Sequence, residues 1–156
     1  MNNMYNKTKA QIMAVYSANT DAGFLKNLLG DNFFYAEKPD DNLEKTYGVF
    51  QLTFPDNKKD SADKFETVLM QINLYDESES SEAVGNLAAA AEKTFNAIQS
   101  LMSFTQISGT VGHTVTTTIA YVTKSKRDFT RFVPRVDKVW TSVLQYRINL
   151  QIFDEQ

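Results

Sequence analysis

The chain has 156 residues, 42% of them apolar and 22% charged, with a formal net charge of -3. That length is enough for one domain with a real core, and the charge is too mild to argue for a nucleic-acid or acidic-membrane partner. The absence of cysteine excludes disulfides, Cys-bound zinc and thiol catalysis and fits a reducing compartment.

From Met4 to Asn19 the spacing of Ile12, Val15 and Tyr16 predicts a first helix. Thr20 and Asp21 read as the N-cap of a short second helix carrying Phe24, Leu25, Leu28 and Leu29, with Gly30 to stop it. A short strand is expected at Phe33–Ala36 and a polar loop from Glu37 to Lys45. Tyr47–Phe54 reads as a strand with Phe50, Leu52 and Phe54 on one face. Phe65–Tyr75 reads as its antiparallel partner, with Val68, Met70, Ile72 and Leu74 sharing a face. The polar segment between them, from Pro55 to Lys64, is expected to be a loose hairpin tip.

The strongest helical pattern follows. Ser80 or Ser81 can cap it, Glu82 lies in its first turn, and Val84, Leu87, Ala88, Ala91, Phe95, Ile98 and Met102 repeat every 3.6 residues. The small side chains of Ala88–Ala91 imply close approach to a sheet. Ser103–Gly112 reads as a break, Thr114–Thr123 as a weakly alternating strand, and Lys124–Lys138 as a long basic loop. From Val139 to Phe153 the alternation is nearly perfect. Trp140, Leu144, Tyr146, Ile148, Leu150 and Ile152 take one face, with Ser142 breaking the set, and Thr141, Gln145, Arg147, Asn149 and Gln151 take the other. This strand is long enough to project past its sheet. The fold class that results is α+β: a mostly antiparallel sheet of four to five strands, helices on one face, in a single domain spanning 1–156.

No apolar run reaches the roughly 18 residues that span a bilayer, and Met1–Lys7 lacks the apolar stretch of a secretory signal, so a soluble cytoplasmic protein with no membrane partner is expected. The single histidine, His113, has no visible nucleophile or orienting acid and reads as non-catalytic. Gly109–Gly112 matches no phosphate-binding fingerprint. The cluster Asp76, Glu77, Glu79 and Glu82 lacks calcium-loop spacing and reads as a solvated loop that starts a helix. A carboxylate enzyme built on Glu66 and Asp76 is the weakest reading. Lys124, Lys126, Arg127, Arg131, Arg135 and Lys138 outweigh Asp128 and Asp137 by a local balance of +4, and Phe129, Phe132 and Val133 sit among them. Such a stretch can contact nucleic acid, dock on an acidic protein surface, or be an ordinary loop whose aromatics tuck under its own strands. The Arg and aromatic anchors favour a protein partner.

Three segments carry a family resemblance: Tyr47-Gly48-Val49-Phe50-Gln51-Leu52; Val68–Asp76 leading to the helix at Ser81-Glu82-Ala83; and Trp140–Ile148. With the opening helix and the phrase Phe33-Phe34-Tyr35, they resemble the tail terminator, or tail-completion, proteins of long-tailed bacteriophages. The likeness covers most of the chain and is one of pattern, without an invariant motif. The stretches Asp56–Lys64 and Lys124–Lys138 are longer than in shorter family patterns. The resemblance implies a structural virion protein with no enzymatic activity and no cofactor. It implies a homo-oligomeric ring, commonly a hexamer, assembled in the host cytoplasm, that caps the tail tube, ends its polymerisation and joins tail to head. The implied partners are the tail tube protein, a head–tail connector protein and, in passing, DNA in the lumen. The candidate interface comprises Lys124, Lys126, Arg127, Phe129, Arg131, Phe132, Arg135, Gln145 and Arg147, with Tyr146 and Ile148 expected to serve folding alone. The alternative is a small α+β binding module that uses an open sheet face for a protein or ligand partner.

Overall fold

The computed structural model describes residues 4–55 and 64–153. In chain order the elements are α1 (Met4–Ser17), α2 (Leu25–Leu29), β1 (Phe33–Tyr35), β2 (Tyr47–Thr53), β3 (Lys64–Asp76), α3 (Glu82–Phe95), α4 (Ile98–Leu101), β4 (Phe104–Thr110), β5 (His113–Val136) and β6 (Val139–Ile152). The class is α+β, but the sheet has six strands, in the order β1-β2-β3-β6-β5-β4, where four to five were expected. All pairings are antiparallel except β1 with β2. The expected hairpin tip at 56–63 lies outside the described residues.

One apolar cluster organises the core. Val68, Met70, Ile72 and Leu74 of β3 and Leu144, Tyr146, Ile148 and Leu150 of β6 are buried on one face. The long run of paired residues, Lys64 opposite Ile152 through Asp76 opposite Trp140, keeps the two alternations in phase. Helix α3 packs on β3 and β6, with Ala88, Ala90 and Ala91 buried beneath it. Every apolar position of the predicted long helix is buried, although the helix itself breaks at Asn96–Ala97 and resumes as α4.

An aromatic column ties the N-terminal layer to this core. Tyr16 of α1 stacks on Phe33 at 4.4 Å between ring centroids, and Phe33 on Phe50 at 5.1 Å. Phe95 of α3 bridges Phe33 and Tyr146 at 6.0 and 6.3 Å. Two buried polar links complete it: Tyr16 Oη donates to the Gly30 carbonyl at 2.6 Å, and the Leu25 N–H donates to Thr94 Oγ1 at 3.0 Å. Thr20 and Asp21 do not cap α2. Phe24 holds the N-cap position without a side-chain bond, because the turn from Asp21 to Phe24 delays the helix by a few residues. Ser80 Oγ accepts the Glu82 N–H at 3.2 Å at the start of α3.

The C-terminal half departs most from expectation. Ser103–Gly112 is largely strand β4, and Lys124–Val136 is not a loop but the second half of the 24-residue β5. Its pairing with β6 is interrupted between Val122 and Lys124, between Arg127 and Phe129, and between Val133 and Val136. Each irregularity resets the inside–outside alternation and erases the period of two from the sequence. Asp137 and Lys138, with φ of 48° and 67°, form the two-residue turn into β6. The last strand is therefore interior, flanked by β3 and β5. The element that projects is the β4–β5 ribbon, which leaves the sheet where β5 stops pairing, at Ala120 opposite Ile152.

Two outcomes follow. A Cβ at Gly48 would stand 2.8 Å from Phe33 Cδ2 and 3.0 Å from Leu74 Cδ2, so Gly48→Ala is expected to lower stability by about 1–3 kcal/mol in urea denaturation. Burial pushes the Asp76 carboxyl up, but hydrogen bonds from Ser78 and Thr46 outweigh it and the net shift is downward. A depressed carboxyl contributes stability above its unfolded value of about 4 that is lost as pH falls through the lower folded value. Asp76→Asn should flatten that acid limb in pH-dependent melting curves and cost about 1–3 kcal/mol at neutral pH.

Candidate interaction surface

Residues paired across antiparallel strands point to the same side, so the register divides the sheet into two faces. Helices cover one. The other carries polar residues (Gln51, Thr67, Gln71, Asn73, Thr141, Gln145, Asn149 and Gln151) interleaved with Tyr47, Val49, Phe65, Leu69, Tyr75 and Val143, and across β2, β3 and β6 its only charged member is Arg147. Glu66 and Asp76 share the helix-side face of β3, ten residues apart, which at about 3.3 Å per residue separates them by roughly 33 Å. The structure does not bring them together. Asp76, expected to be solvated, is only 5% exposed and accepts hydrogen bonds from Thr46 Oγ1 at 2.6 Å and the Ser78 N–H at 3.0 Å.

Strand β5 adds a basic stripe to the open face. Lys124 lies opposite Asn149, Lys126 opposite Arg147, Phe129 opposite Gln145 and Arg131 opposite Val143. Six of the nine sequence-derived interface residues therefore converge here: Lys124, Lys126, Phe129, Arg131, Gln145 and Arg147. Asp128, the extra residue at a bulge, accepts from Gln145 Nε2 at 2.9 Å and from Arg147 at 3.4 Å. It offsets the like charges that Lys126 and Arg147 present across the strands. The Arg131 guanidinium lies 5.8 Å from the Phe129 ring, a cation–π distance.

The other three residues are elsewhere. Arg127 turns to the helix side and pairs with Glu92 of α3 at 2.9 Å, and Thr130 Oγ1 donates to the same carboxylate at 2.8 Å. Nearby, the Tyr146 phenol donates to Asn96 Oδ1 at 2.6 Å. Burial pushes its pKa up to about 12, and the Arg127 charge opposes the rise. Phe132, 56% exposed, lines an apolar cleft of about 480 Å³ with Val84, Gly85, Pro134 and Trp140 at the start of α3. Arg135 is exposed in the irregular segment before the turn.

Sequence reasoning missed this cleft and the ribbon. The run Phe132-Val133-Pro134, with Trp140 soon after, was a signal for the first. For the second, the signal is the lack of any Asp, Glu, Lys or Arg between Lys93 and Lys124. His113 sits on the ribbon, exposed and opposite Thr110. Among the described residues no cluster of three or more His, Asp or Glu is arranged to hold a metal ion, and no helix is long and apolar enough to cross a membrane.

With this geometry in place, comparison with solved structures shows a likeness of fold. A chain in the virion of a native gene transfer agent particle has the same fold. It superposes with a TM-score of 0.56 over 88% of this chain and 91% of that one, at 12% identity. At that identity the likeness is one of fold alone. No family model matches the chain, and no curated protein does.

The two arginine environments separate in a stability measurement. Arg127→Ala breaks a half-buried ion pair between β5 and α3 and should cost about 0.5–1.5 kcal/mol in chemical denaturation. Arg131→Ala, on the open face, should stay within about 0.5 kcal/mol of the parent.

Proposed function

We propose that this chain is a structural virion protein that caps the end of a phage tail tube as a ring, ends tube polymerisation and presents the surface to which the head joins. The supporting observation is the fold shared over nearly the full length of both chains with a component of a virion particle. The order of the sequence pattern supports the tail-terminator assignment within that class. The open sheet face fits such a role, since it combines a nearly uncharged field of mixed polar and apolar side chains with a basic stripe and is left bare by every described helix.

On this reading Lys124, Lys126, Arg131, Gln145 and Arg147 meet a neighbouring subunit, the tail tube protein or the head–tail connector protein, with DNA passing nearby in the lumen. Arg127 acts inside the subunit, as a clamp on α3. The protein needs no cofactor and catalyses no reaction, and its place is the tail of the virion. The apolar cleft beside Phe132 and Trp140 is the feature that favours the second reading, a small binding module, in which a stable monomer takes a specific ligand detectable by native mass spectrometry.

Deleting the gene from a particle-producing genome should yield tails of irregular, excessive length that fail to join heads, with length restored by the wild-type gene supplied in trans. Electron microscopy of the tails reads the outcome. Tails of normal length that join heads in the deletion strain would sink the proposal. Lys126→Glu with Arg131→Glu should weaken assembly more at low than at high salt, because screening shortens the reach of the stripe.

A further inference from the structure

The β4–β5 ribbon covers nothing in its own chain. Every residue from Thr105 to Thr118 is exposed, and a two-stranded ribbon with both faces in water is marginal at best. Ile107 is on one of its faces and Val115 on the other, 71% and 60% exposed, with Val111 fully exposed at the tip. Strand β4 is also the edge of the sheet. Solvent-facing edges are commonly blunted with lysine, proline or an inward charge, and β4 has none of these. Strand β5 runs unbroken from the ribbon into the sheet, and at Gly109 a Cβ would fall 2.0 Å from the His113 carbonyl oxygen, so the pairing there admits no side chain.

A surface that docks on an uncharged ribbon must itself be nearly uncharged, because a buried charge would lose its water without gaining a counter-charge. Among the described residues the broadest such surface is on the sheet, the cleft beside Phe132 and Trp140 being confined to a few side chains. The open face across β2, β3 and β6 is neutral apart from Arg147, where a solvent-facing surface ordinarily carries about 25–35% charged residues. The ribbon leaves the sheet beyond the end of β6, at Ala120 opposite Ile152, whereas Gln71 lies opposite Gln145, seven residues back along β6. Donor and acceptor are thus different patches of one chain, so a head-to-tail contact between copies leaves a free ribbon and a free face at its two ends and can close into a ring.

We propose that the β4–β5 ribbon of one copy docks on the neutral open sheet face, centred on Gln71, of the next copy. The inference rests on the ring reading above and names the contact that builds the ring. Because the chain has no cysteine, single cysteines report the contact cleanly. Copies carrying Val115→Cys, mixed with copies carrying Gln71→Cys, should cross-link to each other under mild oxidation. Ile107→Glu with Val115→Glu should abolish ring formation in native mass spectrometry while circular dichroism and melting temperature stay at parent values, since neither side chain touches the core. Gln71→Glu should also give monomers, and Gln51→Glu replaces it if that variant fails to fold. Mixing the ribbon variant with the face variant leaves one working contact and should yield a 1:1 dimer that grows no further. Rings persisting in the ribbon variant, or no dimer in the mixture, would overturn the ribbon contact and leave the ring reading standing. A wild-type protein that forms no ring in solution or on tail tubes would overturn both.

Discussion

The whole structure depends on the phase relation between β3 and β6. These strands pair residue for residue from Lys64–Ile152 to Asp76–Trp140 without a slip, so one face is apolar on both, while the other is mixed on β3 and mostly polar on β6. A slip of one residue would exchange the faces. Each buried Leu or Ile on the inner side contributes on the order of 1.5–3 kcal/mol, which makes the observed register far more favourable than its neighbours. Helix α3 can lie on this face because Ala88, Ala90 and Ala91 hold no bulk against it. The column Tyr16–Phe33–Phe50 then carries the same packing outward to α1, β1 and β2.

That arrangement has a consequence for function. Because the described helices serve the inner face, they leave the outer face uncovered, and it is there that the polar residues of β6 and the basic residues of β5 meet. The bulges in β5 sort its cations. Lys124, Lys126 and Arg131 go outward, whereas Arg127 goes inward to Glu92. Charges a few positions apart on one strand thereby acquire opposite duties, one set available to partners and one holding strand to helix.

Much of the fold was legible. The alternations of β2, β3 and β6 and the 3.6-residue period of α3 survive in the sequence because each element buries one uninterrupted face. Even the break at Asn96–Ala97 leaves Ile98 and Met102 buried as the period requires. Strands β4 and β5 were not. Strand β5 reads as a basic loop because three irregularities break its alternation, and because it has solvent or a polar face on most of its length, so no apolar stripe marks it. Strand β4 reads as a break because Gly109 and the exposed threonines remove both signals. Among the surface residues, Gln145 and Arg147 were readable from the alternation of β6, but the inward turn of Arg127 was not, since it follows from a bulge.

By itself the sequence determined the α+β class, the apolar faces of β3, α3 and β6, and a polar outer side for the last strand, because these depend on local periodicity set by which side chains water rejects. Only the tertiary structure decided that β6 lies inside the sheet with β5 beside it, that the stripe and the neutral field share one face, and that β4 and β5 leave the body as a bare ribbon. Those outcomes depend on which strands pair and where the pairing slips. Backbone hydrogen bonds between distant segments settle such questions, and they leave almost no trace in the side chains of either segment.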